Sequence, residues 1–503
     1  MRQLFTLIFA IAISLTAFGQ DTIPLYFSKK ISEKNIKEDL IQLSSEKMEG
    51  RETGMRGQKL AAEYIYKEFL KANLKNRFQD TDSIGYFQNL SVFKIIQSKA
   101  EIKIGEKTFC NYEDFLLSGF DDYINPNLDV AFLGTAPDSS YLGKNFKDKA
   151  VLFLTPNLYA GALKSNDIVA ETNAKIVLFC NPENPHQHQL IIKKQKSVFK
   201  GSYKLDPKKF PHEFRLDSIK HAHLYRKYKI NRNTLQGPVS PELASEILQV
   251  KVKDLKKCMA GKILNKQTDA SLPITLDFQM QYNELPTENV IAFLPGTDKK
   301  DEYIVISAHY DHVGKTESKI YYGANDNASG TAALLEIARK FQDASLQGFR
   351  PKRSILFIAF TGEEKGLLGS EYFVASSKIP MKSYVANLNL DMLGRKDSDH
   401  KDTDYIYLLG TNHLNPRLKS ITDSINRIYP KLQLDYKYDQ PDSFLYAASD
   451  QASFVRRNIP AIFYFNGLHK DYHKPTDTAD KINCLSIKKV AGLVFLTAWN
   501  LAN

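Results

Sequence analysis

Residues 303–311 read YIVISAHYD. Six residues dominated by Tyr, Ile and Val make a short apolar run, and His309, Tyr310 and Asp311 follow it without a break. An unbroken apolar run of that length, bounded by polar residues, belongs to a strand covered on both faces. The pattern returns three times further on. Ser354–Phe360 (SILFIAF) runs into Thr361, Gly362, Glu363 and Glu364, and Tyr384–Leu390 (YVANLNL) ends in Asp391. Ala461–Phe465 (AIFYF) leads through a short loop to Tyr472 and His473. Helical spacing at Thr331–Gln342 and near Ser370–Ser377 separates the runs. Apolar strands alternating with helices predict an α/β fold.

Ligands of open α/β sheets gather beyond the carboxyl ends of the strands, and here those ends deliver His, Glu-Glu, Asp and His. A fifth group, Asp326 in the stretch GANDNASG (323–330), lies in a turn-rich segment before a helix. Taken singly these signals are weak. A Glu-Glu pair is usually surface charge, and Asp326 alone would pass as a helix cap. The conjunction, in order and at strand ends, carries the reading.

Carboxylates and imidazoles without thiolates suit zinc. Two His and three carboxylates exceed the needs of one open catalytic zinc. They fit two ions about 3.5–4 Å apart that share a carboxylate. Asp326 is the expected bridge: one zinc takes His309, Asp326 and Asp391, and the other takes Asp326, Glu364 and His473. Asp311 is expected to accept the second ring N–H of His309 and fix its tautomer. Glu363 is expected to take a proton from metal-bound water and return it to the leaving group. Tyr472 is expected to donate to the oxyanion. His312 and His469 are expected outside the ligand set, behind a ligand or on the surface. The His186-Gln187-His188 pair, in a Pro- and Asn-rich stretch, is expected to be a solvated loop.

The rest of the 503-residue chain bounds the function. Arg2, the apolar run Leu4–Ala17 and the small residues of Ala17-Phe18-Gly19 form a signal-peptide pattern. The expectation is export, cleavage after residue 19, and a secreted or periplasmic product. No later segment is expected to cross a bilayer, so stable membrane insertion is excluded. The formal charge of +11 is dispersed rather than gathered into a basic face, which argues against a nucleic-acid partner. Cys110, Cys180, Cys258 and Cys484 form no CxxC pair and are expected as thiols away from any metal. Helical spacing runs from Ile36 to Leu74, strands follow from about Val92, and a helix is capped by Ser240 with Pro241 at its first turn. Residues 108–266 hold none of the chemistry and read as an inserted module, so residues 20–107 and 267–503 form one discontinuous domain.

These motifs resemble the M28 family of zinc peptidases, the aminopeptidase Y and bacterial leucyl aminopeptidase-like group. The resemblance rests on His309-Tyr310-Asp311, on residues 323–330, on Gly362-Glu363-Glu364, on Asn389–Gly394 (NLDMLG) and on Tyr472–Thr478 (YHKPTDT). Ser449–Phe454 (SDQASF) and Leu43–Arg51 (LSSEKMEGR) are similar to further family stretches. It implies a mixed central sheet with helices on both faces, two zinc ions, and a peptide or protein substrate attacked at one end, best as an aminopeptidase. It also implies that the insertion is a β-rich protease-associated (PA)-like domain. Rival activities on the same residues are a single-zinc glutaminyl cyclase, a carboxypeptidase using Arg395, Arg456 or Arg457, and a non-catalytic binding protein. Phe444, Tyr446 and Phe454 are the expected pocket walls.

Overall fold

The four apolar runs form four strands that lie side by side. The computed structural model describes residues 22–76, 85–117, 123–135, 137, 139, 141–198, 202–205, 234–261, 271–441 and 443–503. Residues 1–19, expected to be an export signal, lie outside them. The chain divides into two units: Met1–Val92 with Lys204–Lys220 and Glu284–Asn503, and Phe93–Tyr203 with His221–Asn283. These limits differ from 108 and 266. They fall inside the long strands Phe87–Ile104 and Ile274–Leu294, where composition does not change.

In the first unit the strands are β1 (Ile274–Leu294, from Glu284 onward), β2 (Lys299–His309), β3 (Arg353–Phe360), β4 (Tyr384–Asp391), β5 (Tyr405–Leu409), β6 (Gln433–Asp435) and β7 (Ala461–Phe465). Their order is β6-β5-β7-β4-β2-β3-β1. β3, β2, β4 and β7 run parallel. β1 is antiparallel to β3, and β5 is antiparallel to β7, so the sheet is mixed.

The helices of this unit are α1 (Thr22–Lys29), α2 (Glu33–Leu43), α3 (Arg56–Lys71), α4 (Gly330–Leu346), α5 (Leu368–Ser376), α6 (Arg417–Ile428), α7 (Gln451–Val455) and α8 (Cys484–Ala502). Side chains alternate across a strand, so each central strand feeds two cores. Ile304, Ile306 and Ala308 of β2 pack with Ile355, Phe357 and Leu388 against α2, α3, α4 and α8. Tyr303 and Val305 face the other way, with Leu356, Ile358 and Phe463, against Phe373 of α5 and Phe454 of α7.

Two expectations change here. α8 is, by length and composition, apolar enough to cross a membrane, against the reading that no later segment is; 72% of that window is buried inside the protein. Its Ile487, Val490, Leu493 and Val494 belong to the first core, which explains a helix apolar all round. The helical pattern from Ile36 to Leu74 is also interrupted: α2 ends at Leu43, a 3-10 turn spans Glu46–Arg51, and α3 begins at Arg56. Gly50 sits there at φ +70°, and a Cβ on it would lie 2.1 Å from the Gly314 carbonyl oxygen. Only glycine lets the chain pass so close.

The second unit has parallel strands Tyr123–Thr135, Lys149–Leu154, Ile176–Cys180 and Leu235–Pro238, paired in that order. Further strands (Lys107–Cys110 and parts of Phe87–Ile104 and Ile274–Leu294) and the helices Leu158–Thr172, Pro185–Val198, Pro241–Ile247 and Val252–Met259 accompany them, so this unit has helices beside its many strands. Local capping explains the helices. Asn157 Oδ1 accepts from Tyr159 and Ala160 amides, and Ser240 Oγ accepts from the Leu243 amide. His188 lies on the helix Pro185–Val198 and is buried, which overturns the solvated-loop reading; Pro185 opens that helix instead of ending a loop. All four cysteines are free thiols, Cys180 and Cys484 buried.

Phe341 of α4 is fully buried, with ring centroids 4.4 Å from Phe495 and 5.8 Å from Trp499 of α8. Phe341→Ala should cost about 3–5 kcal/mol. Urea unfolding would show it as a lower midpoint at unchanged m-value.

Candidate metal centre

Strand register sets the site. His309, the last residue of β2, pairs with Phe360, the last of β3, and Asp391, the last of β4, pairs with Phe465, the last of β7. The four parallel strands therefore release His309, the loop of Glu363 and Glu364, Asp391 and the loop of His473 at one edge. Asp326 comes from the irregular stretch Ala324–Ser329 ahead of α4. Its neighbours pin it there. Asn327 Nδ2 donates to the Leu390 carbonyl, and Asn327 Oδ1 accepts from the Gly330 and Met392 amides. Asn325 Oδ1 accepts from the Gly394 amide. The Asn325 and Asp326 amides donate to Asp477 Oδ2 at 2.9 and 3.2 Å.

All five residues expected as ligands meet, with Asp326 in the middle. Its Oδ1 is 3.4 Å from His309 Nε2 and its Oδ2 is 3.0 Å from His473 Nε2. His309 Nε2 is 3.3 Å from Asp391 Oδ1, and His473 Nε2 is 3.1 Å from Glu364 Oε2. Two donor groups result, one of His309, Glu363 and Asp391 and one of His312, Asp326, Glu364 and His473, with ligand atoms within 4.8 Å in each. Glu363 Oε2 lies 4.0 Å from His309 Nε2.

Several residues behave differently from expectation. His312 is fully buried, not on the surface, and its Nδ1 is 2.8 Å from Glu364 Oε1 and 3.6 Å from Asp326 Oδ2. His469 is also buried, its Nδ1 accepting from the Asp471 amide, and burial pulls it down to about 4. The Asp311 carboxylate is 3.9 Å from His309 Nδ1; the Asp311 backbone carbonyl, at 3.2 Å, is the nearer acceptor. That carboxylate instead accepts from Thr53 Oγ1 at 2.7 Å and from the Glu363 amide at 3.1 Å. Tyr472 is 37% exposed and stacks on His473, with centroids 3.8 Å apart. Arg395 pairs with Asp471, and Arg457 pairs with Glu371, with Arg456 3.9 Å from the same carboxylate. Phe454 is a core residue between Phe360 and Phe373 rather than a pocket wall. Tyr446 is buried, and Phe444 is 75% exposed.

A hydrogen-bonded row behind Asp391 escaped the sequence reading. Asn387 Nδ2 donates to Ser307 Oγ at 2.8 Å, and Ser307 Oγ donates to Asn389 Oδ1 at 2.7 Å. Asn389 Nδ2 then donates to Ser449 Oγ at 2.9 Å, and Ser449 Oγ donates to Asp391 Oδ2 at 2.8 Å. The signal was present: Asn387, Asn389 and Asp391 recur at period two in an otherwise apolar strand. Such partners orient a ligand carboxylate.

The electrostatics separate the adjacent glutamates. Burial raises Glu363 well above the ordinary carboxyl range; His309 opposes this, while Glu364, Asp450 and Asp391 add to it. Burial also acts on Glu364, yet the hydrogen bond from His312 and the nearby imidazole of His473 hold it well below that range. A pair of carboxyls pushed apart is the usual signature of an acid–base group beside a permanently charged one. Burial brings Asp450 up to about 7 and Asp477 up to about 6. Against the opposing pull of burial, the facing carboxylates of Asp326 and Glu364 raise His473 to about 10.

The donor chemistry fits a cation. Asp326 Oδ2 and His473 Nε2 face each other but make no hydrogen bond, and His312 Nε2 is likewise buried without one. Acceptors opposed at such distances need a proton or a metal between them. Imidazole and carboxylate without thiolate suit zinc.

The sequence profile "Peptidase family M28" matches residues 289–498, the span that carries every one of these donors. Aminopeptidase YwaD of Bacillus subtilis (strain 168) is 27% identical over 265 residues, 51% of this chain and 52% of that one. A probable zinc metalloprotease of Pyrenophora teres f. teres (strain 0-1) is 38% identical over 120 residues, 23% of this chain and 24% of that one. This chain thus spans about half the length of the first relative and less of the second. In fold it is similar to the aminopeptidase from Aneurinibacillus sp. strain AM-1, with TM-score 0.53 at 20% identity over 95% of each chain. Over residues 289–498, then, this chain carries the sequence pattern of peptidase family M28.

Proposed function

We propose that this protein is an exported zinc exopeptidase with two zinc ions, and an aminopeptidase in specificity. The observation that carries it is Asp326, whose two oxygens turn to different histidines, His309 on one side and His473 on the other. A carboxylate so placed is suited to bridge two cations. His309, Asp326 and Asp391 would hold one zinc, and Asp326, Glu364 and His473 the other, with His312 donating to Glu364 from behind. The names of the Bacillus and Pyrenophora relatives, an aminopeptidase and a zinc metalloprotease, support the substrate class and the metal. The signal-like first residues support export, and we read the second unit as a PA-like insertion.

When bound, zinc supplies Lewis-acid activation of water and of the scissile carbonyl. Glu363 accepts the proton of the attacking water and delivers it to the departing amine. Burial suits it to that work, since a carboxyl with raised affinity for protons can both take one and hold it. Tyr472, stacked on His473, donates its hydroxyl to the oxyanion that develops on the carbonyl. Ser449 and the asparagine row keep Asp391 aimed at the metal position. The Glu363 amide, bonded to Asp311, fixes the turn that presents both glutamates.

Elemental analysis of the purified protein should find two zinc ions per chain, and a dipicolinate wash should abolish turnover that added zinc restores. Metal-free protein with full activity would remove the basis of the reading. Asp326→Asn should lower occupancy of both positions together. Glu363→Ala should retain zinc yet lose about 100- to 10,000-fold in kcat. A panel of free and N-acetylated peptides should be cleaved only where the amino terminus is free. Cleavage of the acetylated peptides from the carboxyl end would reassign the specificity.

A further inference from the structure

Arg51 lies far ahead of residues 289–498, yet its guanidinium is fully buried beneath the carboxylates of the candidate centre. Its fork is spent on backbone carbonyls. Nε donates to Tyr310 O at 2.7 Å, Nη1 to Leu43 O at 2.5 Å and Tyr322 O at 2.8 Å, and Nη2 to Gly323 O at 2.8 Å. Tyr310 directly follows His309, and Tyr322-Gly323 lead into Asp326. One planar side chain therefore spans the two backbone stretches that present these ligands.

The residues around Arg51 make the same connections. The His312 amide donates to Arg51 O at 3.1 Å and the Gly314 amide to Gly50 O at 3.0 Å. Thr53 Oγ1 donates to Asp311, which holds the Glu363 amide. Glu52 pairs with Lys365 at 3.0 Å, just past the two glutamates. Neither end of this segment can slide: a Cβ on Gly50 would strike the Gly314 and Tyr321 carbonyls, and one on Gly57 would lie 1.9 Å from Met48 O.

We propose that Gly50–Thr53 is a positioning strap of the metal centre, with Arg51 setting the spacing of His309 against Asp326 and Thr53 setting Glu363 through Asp311. The inference rests on the metallopeptidase reading above. The strap touches neither substrate nor metal. It acts by holding backbone, so a lysine, which keeps the charge but not the rigid fork, cannot replace Arg51.

The test uses the full chain, with Arg51→Lys, Thr53→Val and Thr53→Ser, read by zinc competition against a chromogenic chelator, by kcat and KM separately, and by thermal melting. Arg51→Lys and Thr53→Val should each lose about 10- to 100-fold in zinc affinity or kcat, with KM nearly unchanged. Thr53→Ser, which keeps the donor, should behave as wild type. Phe341→Leu, a core change outside the strap and against α8, provides a variant whose melting temperature falls without loss of zinc affinity. Wild-type zinc affinity and kcat in both Arg51→Lys and Thr53→Val would overturn the proposal, as would losses that merely track melting temperature along with Phe341→Leu. Should Arg51→Lys fail to fold, Thr53→Val against Thr53→Ser decides alone. A wild-type chain that takes up no zinc sinks the peptidase reading and the strap together; a zinc-binding wild type with indifferent variants sinks only the strap.

Discussion

Buried negative charge is what this architecture has to accommodate. Asp311, Asp326, Asp391, Asp450 and Asp477 are all buried at one sheet edge, with Glu363 and Glu364 beside them. Each uncompensated carboxylate in such a place costs several kcal/mol. At the margin the protein compensates from its own resources: two amides on Asp477, Thr53 on Asp311, Ser449 on Asp391 and the guanidinium of Arg51 below. In the middle, between Asp326 and the imidazoles, it does not. Asp326 Oδ2 and His473 Nε2, opposed and unbonded at the centre, mark where a cation belongs.

The sheet makes that arrangement possible because parallel strands end flush. Residues one strand apart, such as His309 and Asp391, arrive at the same height without any help from loops, and rigid elements hold ligands more closely than loops do. Asp326 is the exception, carried on an irregular stretch. It is accordingly the residue with the densest backbone support, from Asn325, Asn327 and Asp477. Polar residues buried on β4 would normally weaken a strand interior. Here Asn387 Nδ2 and the Asn389 amide are bonded through Ser307 and Ser449, and the row aims Asp391.

Much of this was legible in the sequence, and for a physical reason. An apolar run of four to eight residues can hardly be anything but a covered strand or helix segment, and metal ligation admits only a few residue types. Ala461–Phe465 was read to the residue, and His309, Glu364, Asp391 and His473 emerged from strand ends, with Asp326 added from the turn-rich stretch before a helix. What stayed hidden depends on distant partners. Arg51 and Thr53 meet the 309–312 loop across more than 250 positions. Locally, only Gly50 and the family-like stretch Leu43–Arg51 mark them. His312 could be read only as lying behind a ligand or on the surface, because burial is decided by what packs over the loop. His188 looked like a loop residue because Asn184-Pro185, a turn signal, is equally a helix opening.

The same logic explains why chemistry is easier to read here than selectivity. A ligand must supply a lone pair at a set point, so its identity is constrained whatever surrounds it. A residue that receives a substrate side chain needs only bulk and exposure. Phe444, 75% exposed, and Leu468, 45% exposed, lie within a few residues of Ser449 and His473 and meet that loose requirement. Phe454, equally aromatic but part of α7, is wholly taken up in packing. Type and neighbourhood do not separate these phenylalanines; only the tertiary burial does. Selection can therefore change the exposed rim freely while the carboxylate cluster, bound by its own repulsion to a fixed set of partners, stays as it is.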